Sequence, residues 1–241
     1  MNLEAIGKTD LGRMRHDNED DFLVRKDVPY FVVADGMGGA VAGELASHIF
    51  IKSSEAVFEK LEASQEQKLI QSFVSANRNI NDYSRINRGA QGMGCTADLL
   101  TFSEHHYIVG HIGDSRTYLI RNNTIRQLTS DHTCEPGSTE INIDLDSAFT
   151  NSPTKESKNI IYRAVGHMKD REVDVVSDRW KPNDIFLICS DGLTDLIDDQ
   201  IILDSFNKFD VLSEIADSLI FKAKRKGGKD NITVVLIKIM E

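Results

Sequence analysis

The chain has 241 residues, of which 40% are hydrophobic, and it carries a formal net charge of −10. This length and composition suffice for one sizeable core and leave one or two domains open. We predict a single domain over residues 1–241. Because the chain is acidic, it does not suit a nucleic-acid backbone or an anionic membrane surface, and we expect neither as a partner.

The cysteine pattern and the N-terminus predict a protein of the cytoplasm. Cys95, Cys134 and Cys189 lie far apart and form no CxxC pair, which argues against a zinc cluster and a disulfide scaffold. The first residues, MNLEAIGKTD, lack the basic and apolar regions of a signal peptide. No apolar run approaches the roughly 20 residues that a membrane span needs. We expect a monomer.

Eight segments have the composition of β-strands, and short turns join most of them into hairpins. They are residues 21–25, 30–34, 96–102, 106–113, 116–123, 124–129, 184–190 and 232–239. Helical spacing of apolar residues predicts helices over 43–61, 66–86, 198–206 and 211–228. Because the helices come in consecutive pairs and do not alternate with strands, the pattern favours antiparallel sheets with helices packed outside, an α+β fold.

Two charged or polar segments need an interpretation of their own. The predicted helix 211–228 ends in a basic turn, which we interpret as helix-end chemistry and not as a binding patch. The segment from 131 to about 160 is rich in Ser, Thr, Asn, Asp and Glu, and it is predicted to be a mobile loop or lid. Within this segment polar and apolar residues alternate in EINIDLD, so a short exposed strand is an open alternative.

Aspartates stand at the ends of several predicted strands. Asp35 ends YFVVA, Asp114 follows HYIVGHIG, Asp191 follows DIFLICS, and Asp230 precedes ITVVL. In an antiparallel sheet the start of one strand lies beside the end of its neighbour, so these carboxylates can meet at one edge. Clustered carboxylates repel one another, and oxygen ligands suit Mg²⁺ or Mn²⁺. The alternative is an independent turn at each position.

Glycine and arginine residues near these aspartates fit the same hypothesis. Without a side chain, Gly36 would let the backbone approach an ion and offer a carbonyl oxygen. In TDLGRMRHDNEDD, residues 9–21, Arg13 and Arg15 precede a run of acidic residues. An arginine beside metal-binding carboxylates would hold a phosphate oxyanion through its fork, although a solvated polar turn is equally open.

Seven segments together resemble a known family. TDLGRMRHDNED, VVADGMGGAVAGELAS, GMGCTADLL, HIGDSRTYLI, YRAVG, LICSDGLTDLI and GGKDNITVVLI stand in the order found in the PP2C-type metal-dependent protein phosphatases. ADGMGG resembles the bacterial branch, and the likeness runs from about residue 7 to 239 with a gap at 133–159. The resemblance implies a four-layer αββα sandwich. It also implies hydrolysis of phosphoserine and phosphothreonine in proteins that a bacterial Ser/Thr kinase has phosphorylated.

The resemblance also implies a site of two Mn²⁺ or Mg²⁺ ions, with a possible third. Asp35 would bridge both ions, and Asp20 would act mainly through water. The implied ligands are Asp20, Asp35, the Gly36 carbonyl, Asp191 and Asp230, with Glu19 and Asn231 in support. Asp114, Asp191 and Asp195 would hold the third ion, and Arg15 would bind the phosphate.

The implied reaction is direct attack by a metal-activated water, with no covalent intermediate. Some members have a histidine after the metal-binding Asp-Gly, but here that residue is Met37. A metal-bound water or His132 could then supply the leaving-group proton, and a structural role for His132 is the other interpretation.

The flap that precedes YRAVG departs from the family, because it is polar and acidic where relatives are more apolar. Three other functions remain open. One is a phosphatase for a single phosphorylated anti-sigma-factor antagonist, whose relatives tend to lose motifs kept here. Another is an inactive phosphoprotein-binding module, which loss of a metal-binding Asp would indicate. The last is a Mg²⁺-binding structural protein, against which Arg15 argues.

Overall fold

The strands form two large antiparallel sheets in this computed structural model, which describes residues 2–38, 40–134, 160–168 and 173–240. The strands are β1 Leu3–Asp10, β2 Asp20–Arg25, β3 Tyr30–Met37, β4 Gly94–Cys95, β5 Ala97–Phe102, β6 His106–Ile112, β7 Arg116–Arg121, β8 Thr124–Gln127, β9 Thr133–Cys134, β10 Ile160–Ile161, β11 Asp174–Arg179, β12 Ile185–Cys189 and β13 Ile232–Ile239. One sheet has the order β1-β13-β12-β7-β8. The other has the order β11-β6-β5-β3-β2, with β4 as its sixth strand, paired with β3.

Five helices accompany the sheets. They are α1 Ala40–Lys60, α2 Gln65–Ile86, α3 Asp191–Thr194, α4 Asp199–Lys208 and α5 Leu212–Arg225. At the start of α2, Ser64 Oγ accepts a hydrogen bond from the Gln67 backbone N–H while Gln67 Oε1 accepts one from that of Ser64. This reciprocal pair satisfies two backbone donors that a helix start leaves free. None of the helices in the described ranges is both long and apolar enough to cross a membrane.

Three apolar layers hold the two sheets and the helices together. The helices α1 and α2 cover the six-stranded sheet, and α4 with α5 covers the five-stranded sheet. Residues of β3 show why the fold needs a continuous apolar run: Val32 and Ala34 pack against the helices, whereas Phe31 and Val33 pack between the sheets. The αββα sandwich that the sequence predicts is therefore confirmed.

The structure describes only the two ends of the polar segment from 131 to about 160, which is predicted to be a lid. The chain reaches Cys134 in β9 and returns at Ile160 in β10, where the two short strands pair in antiparallel register. Residues 135–159, with the alternating EINIDLD, lie outside the described residues.

Candidate metal centre

Strand pairing brings the predicted acidic residues to one end of the sandwich. Asp20 at the start of β2 is the register partner of Asp35 near the end of β3. In the other sheet Asp191 follows β12 and Asp230 precedes β13, and these two strands pair with each other antiparallel. The charges of Asp20, Asp191, Asp114 and Asp230 all act on Asp35. The sequence argument from strand ends predicted this convergence.

A cavity of about 520 Å³ opens at this end of the sandwich. Its walls include Arg15, Glu19, Asp35, Gly36, Asp191 and Asp230. The other predicted residues, Asp20, Asn231, Asp114 and Asp195, are not part of its lining. The cavity is therefore an acidic basin with one arginine at its edge.

Four carboxylate oxygens at this end of the sandwich are buried, and within the described part of the chain they have no hydrogen-bond partner. They are Glu19 Oε1, Asp20 Oδ1, Asp114 Oδ1 and Asp191 Oδ1. A buried acceptor without a donor costs on the order of 1–3 kcal/mol, and more when it is charged. A hard divalent cation takes oxygen ligands of this kind, so these residues fit Mg²⁺ or Mn²⁺.

The electrostatics of the cluster point the same way. Burial, reinforced by the charges of Asp20 and Asp191, raises the pKa of Asp35 well above its usual value. Burial and the charge of Asp114 likewise raise the pKa of Asp191. Burial raises the pKa of Asp20 to about 6, against the lowering effect of hydrogen bonds from Thr233 and Ser190. A cation among these groups would replace their mutual repulsion by attraction.

The carboxylates are not preassembled around a single point. Within the residues that the structure describes, no three acidic, histidine or cysteine side chains form a ready ligand set for one ion. Asp20 is oriented by its Oδ2, which accepts hydrogen bonds from Ser190 Oγ at 2.7 Å and Thr233 Oγ1 at 2.6 Å. Only its Oδ1 is left without a partner. Ions bound here would thus complete their shells with water and backbone carbonyls, as hard cations do.

Gly36 is required by the close approach of helix α1 to the end of β3. A Cβ at this position would lie 2.0 Å from the Gly43 carbonyl oxygen and 2.8 Å from that of Glu19. The Gly36 N–H donates to the same Glu19 carbonyl at 3.1 Å. Gly36 thus lines the cavity and packs closely against α1. The binding of an ion by its carbonyl stays a prediction.

Arg15 lies at the cavity edge between two acidic partners. Its Nη2 donates to Asp230 Oδ2 at 2.7 Å, and its Nη1 lies 3.6 Å from Glu19 Oε2. Asn231 fixes the same loop, since its Nδ2 donates to the carbonyls of Leu11 and Asp17. Its Oδ1 also accepts from the Glu19 N–H, at 2.9 Å. Asn231 thus holds the loop of residues 11–19 against β13. We call this loop, which carries Arg15, the arginine loop.

Of the residues assigned to a third ion, Asp191 lines this cavity, whereas Asp114 and Asp195 do not. Burial, with the charges of Asp131 and Asp195, raises the pKa of Asp114 to about 6. Asp195 caps α3, where its N–H donates to the Asp191 carbonyl at 2.8 Å, and its side chain is exposed. Asp114 and Asp195 are therefore near Asp191, but only Asp114 has a buried oxygen without a partner.

His132 is a buried structural residue. Its Nδ1 accepts the Gly113 N–H at 3.0 Å, and its backbone N–H donates to the Gly113 carbonyl at 2.7 Å. Burial, with the nearby charge of His111, lowers the pKa of His132 to about 4. The residue does not line the cavity and is neutral near pH 7, which supports the structural interpretation over a proton donor.

Ser190 and Thr233 contact the predicted ligand Asp20, and the sequence reasoning did not identify them. Both hydroxyls bind Asp20, and Ser190 Oγ also accepts the Thr233 N–H at 3.0 Å. Ser190 precedes Asp191 in SDG, and Thr233 is a hydroxyl residue within an apolar strand. These two local signals mark hydroxyl residues at buried positions, but they do not indicate the hydrogen bonds to Asp20.

Comparison with known proteins gives the same picture. The family model described as protein phosphatase 2C matches residues 9–138. The serine/threonine phosphatase stp of Listeria welshimeri is 34% identical over 98% of this chain and 96% of that protein. Protein phosphatase PhpP of Streptococcus pneumoniae is 30% identical over 99% of this chain and 98% of its own length.

Solved structures agree with these sequence relatives. The crystal structure of the Mycobacterium tuberculosis serine/threonine phosphatase PstP/Ppp matches with a TM-score of 0.83 and 29% identity over 99% of each chain. A structure of the catalytic domain of PstP in complex with two manganese ions matches with a TM-score of 0.82 and 30% identity over 99% of each chain. The fold and these likenesses define the class as metal-dependent phosphoprotein phosphatases. Within this class, the chain belongs to the protein phosphatase 2C family.

Proposed function

We propose that this protein hydrolyses phosphoserine and phosphothreonine esters in proteins at the acidic cavity. The observation that supports this most directly is the set of buried carboxylate oxygens without partners beside a cavity edged by Arg15. A cavity with this polarity attracts a divalent cation, and the arginine fork suits the phosphate that the cations would draw in.

The roles follow the positions of the side chains. Asp20, Asp35, the Gly36 carbonyl, Asp191 and Asp230 would hold two Mn²⁺ or Mg²⁺ ions. When bound, such a pair supplies Lewis acidity that activates water and neutralises charge on the phosphoryl group. Asp114 and Asp191, with Asp195, would hold a third ion.

The protein's own residues orient the ester. Arg15 is partly solvated and can exchange its contact with Asp230 for a phosphate oxygen, which aligns the phosphorus above the acidic floor. Glu19 and Asn231 keep the arginine loop in position. The aspartates Asp35, Asp191 and Asp230 that line the cavity would be taken up as ligands of the ions. We therefore propose direct attack by water, without a covalent intermediate.

The biological setting that we propose follows from this chemistry. The substrates would be phosphorylated proteins, and the enzyme would reverse a Ser/Thr kinase. Three cysteines that form no disulfide, together with the acidic surface charge, suit a monomer in the cytoplasm.

Hydrolysis of p-nitrophenyl phosphate and of a phosphothreonine peptide tests the proposal directly. Both are expected to proceed with Mn²⁺ or Mg²⁺ and to fall at least about 100-fold with EDTA, because the acidic cavity alone repels a phosphate dianion. If folded, metal-loaded protein turns over neither substrate, the phosphatase proposal fails. Binding of the phosphopeptide without hydrolysis would then favour an inactive phosphoprotein-binding module.

Replacing Arg15 with Ala is expected to raise KM for the phosphothreonine peptide about 10-fold, since a charged hydrogen bond to the phosphate is lost. Steady-state kinetics with saturating Mn²⁺ measures this change. Arg25→Ala is a matched control, because the Arg25 side chain is also 46% exposed and also pairs with a carboxylate, that of Glu55. An unchanged kcat/KM in Arg15→Ala would remove Arg15 from the phosphate site.

A further inference from the structure

Three exposed cationic side chains lie on two loops beside the cavity. One is the arginine loop, residues 11–19, and the other is residues 226–231, between α5 and β13. The three side chains are Arg13, Lys226 and Lys229, which we call the basic ledge. Lys226 is the C-cap residue of α5, in the basic turn that the sequence alone attributes to helix-end chemistry. In the part of the chain that the structure describes, their charged groups have neither a carboxylate nor a hydrogen-bond partner. The neighbouring Lys224 differs, since its Nζ lies 2.8 Å from Asp10 Oδ2. The ledge therefore carries three positive charges without acidic partners, although the chain as a whole has a net charge of −10.

Backbone contacts fix the ledge relative to the cavity. The Arg13 N–H donates to the Gly228 carbonyl at 2.7 Å. Gly12 has a φ of +78°, and a Cβ there would lie 2.2 Å from the Asp230 carbonyl oxygen. The two loops are therefore locked together, with Lys229 directly before Asp230, whose carboxylate binds Arg15.

The acidic groups nearest to the ledge leave its charge available. Asp10 is occupied by Lys224, and Asp230 and Glu19 are the partners of Arg15. Asp17 is exposed at the cavity mouth and is the remaining acidic side chain of the same loop. A ligand that extends from the cavity over the loops would therefore meet more positive than negative charge on this side.

We propose that the basic ledge binds acidic side chains that flank the phosphorylated residue of the substrate, and this proposal rests on the phosphatase function proposed above. An extended peptide advances about 3.3 Å per residue, so a Glu or Asp within about three residues of the phosphoresidue can reach the ledge. The ledge would thus select phosphoproteins with acidic sequence around the phosphosite, against the overall repulsion of the acidic protein.

Two phosphothreonine peptides of equal length, one with acidic and one with Gln flanks, test this selectivity. In the double variant Arg13→Gln/Lys229→Gln, the ratio of kcat/KM for the acidic peptide to that for the Gln peptide is expected to fall about 5-fold, mainly through KM. Lys26→Gln/Lys181→Gln is the matched control, because these exposed lysines follow β2 and precede β12 at the opposite end of the sandwich. In the control variant the ratio should stay at the value of the unsubstituted protein.

Salt provides a second measurement on the unsubstituted protein. Raising the ionic strength from about 0.05 M to about 0.5 M should reduce the preference for the acidic peptide, since exposed charges are screened. A ratio near one in the unsubstituted protein, or an equal fall in both double variants, overturns the ledge proposal. Failure of the phosphatase function itself is distinct from these outcomes, because then the unsubstituted protein with Mn²⁺ hydrolyses neither peptide.

Discussion

Asp35→Asn is expected to lower kcat for a phosphothreonine peptide at least about 100-fold while the fold persists. The amide keeps the shape of the side chain but removes the negative charge that would bind the cations. Turnover at saturating Mn²⁺ measures the loss, and circular dichroism checks the fold. Asp21→Asn is the matched control, because the neighbouring Asp21 side chain pairs with His48 outside the cavity lining.

The same variant is expected to be more stable than the unsubstituted protein when metal is removed. Folding raises the pKa of Asp35, so its ionisation at neutral pH opposes the folded state, and this cost begins as pH rises above the ordinary aspartate value. Removing the charge should raise the free energy of unfolding in EDTA by about 1–3 kcal/mol. Added Mn²⁺ should raise Tm less in the variant. Near-normal turnover by Asp35→Asn would refute the metal-binding role of Asp35.

The sequence predicted those parts of the fold in which apolar pattern and burial coincide. Strand β3 and helix α5 were evident because nearly every inward position is apolar: β3 packs on two layers, and α5 buries Leu212, Ile215 and Leu219 along one stripe. Strands β1 and β11 were not predicted. Both are edge strands with partly or largely exposed side chains, so their sequences, LEAIGKTD and DVVSDR, lack the apolar alternation that marks a strand.

Convergence of the carboxylates could be predicted for a different reason. Asp35, Asp191 and Asp230 each adjoin a buried strand, and antiparallel pairing dictates which strand ends meet. The hydrogen bonds of Ser190 and Thr233 to Asp20 could not be predicted in this way, because they join two sheets through side-chain rotamers. Register predicts which residues are neighbours, whereas rotamers decide which oxygen is bound and which is left for an ion.

Gly36→Ala is expected to lower the free energy of unfolding by about 3 kcal/mol, because the new methyl would lie 2.0 Å from the Gly43 carbonyl oxygen. That oxygen belongs to the backbone of α1, so no side-chain rotation relieves the clash, and the helix or the end of β3 must move. Chemical denaturation in EDTA measures the loss. Gly89→Ala is the matched control, since a Cβ there meets no atom within 4 Å, and its effect should stay within about 0.5 kcal/mol.

The shift forced by Gly36→Ala should also weaken Mn²⁺ binding about 10- to 100-fold, as measured by titration calorimetry, because it displaces the backbone beside Asp35 and Glu19. Loss of stability and loss of metal affinity then have one cause, the contact between α1 and the end of β3. If the variant is destabilised but binds Mn²⁺ with unchanged affinity, the Gly36 backbone is only a packing contact. Equal stability of Gly36→Ala and Gly89→Ala would instead show that α1 lies farther from this strand end than the contact requires.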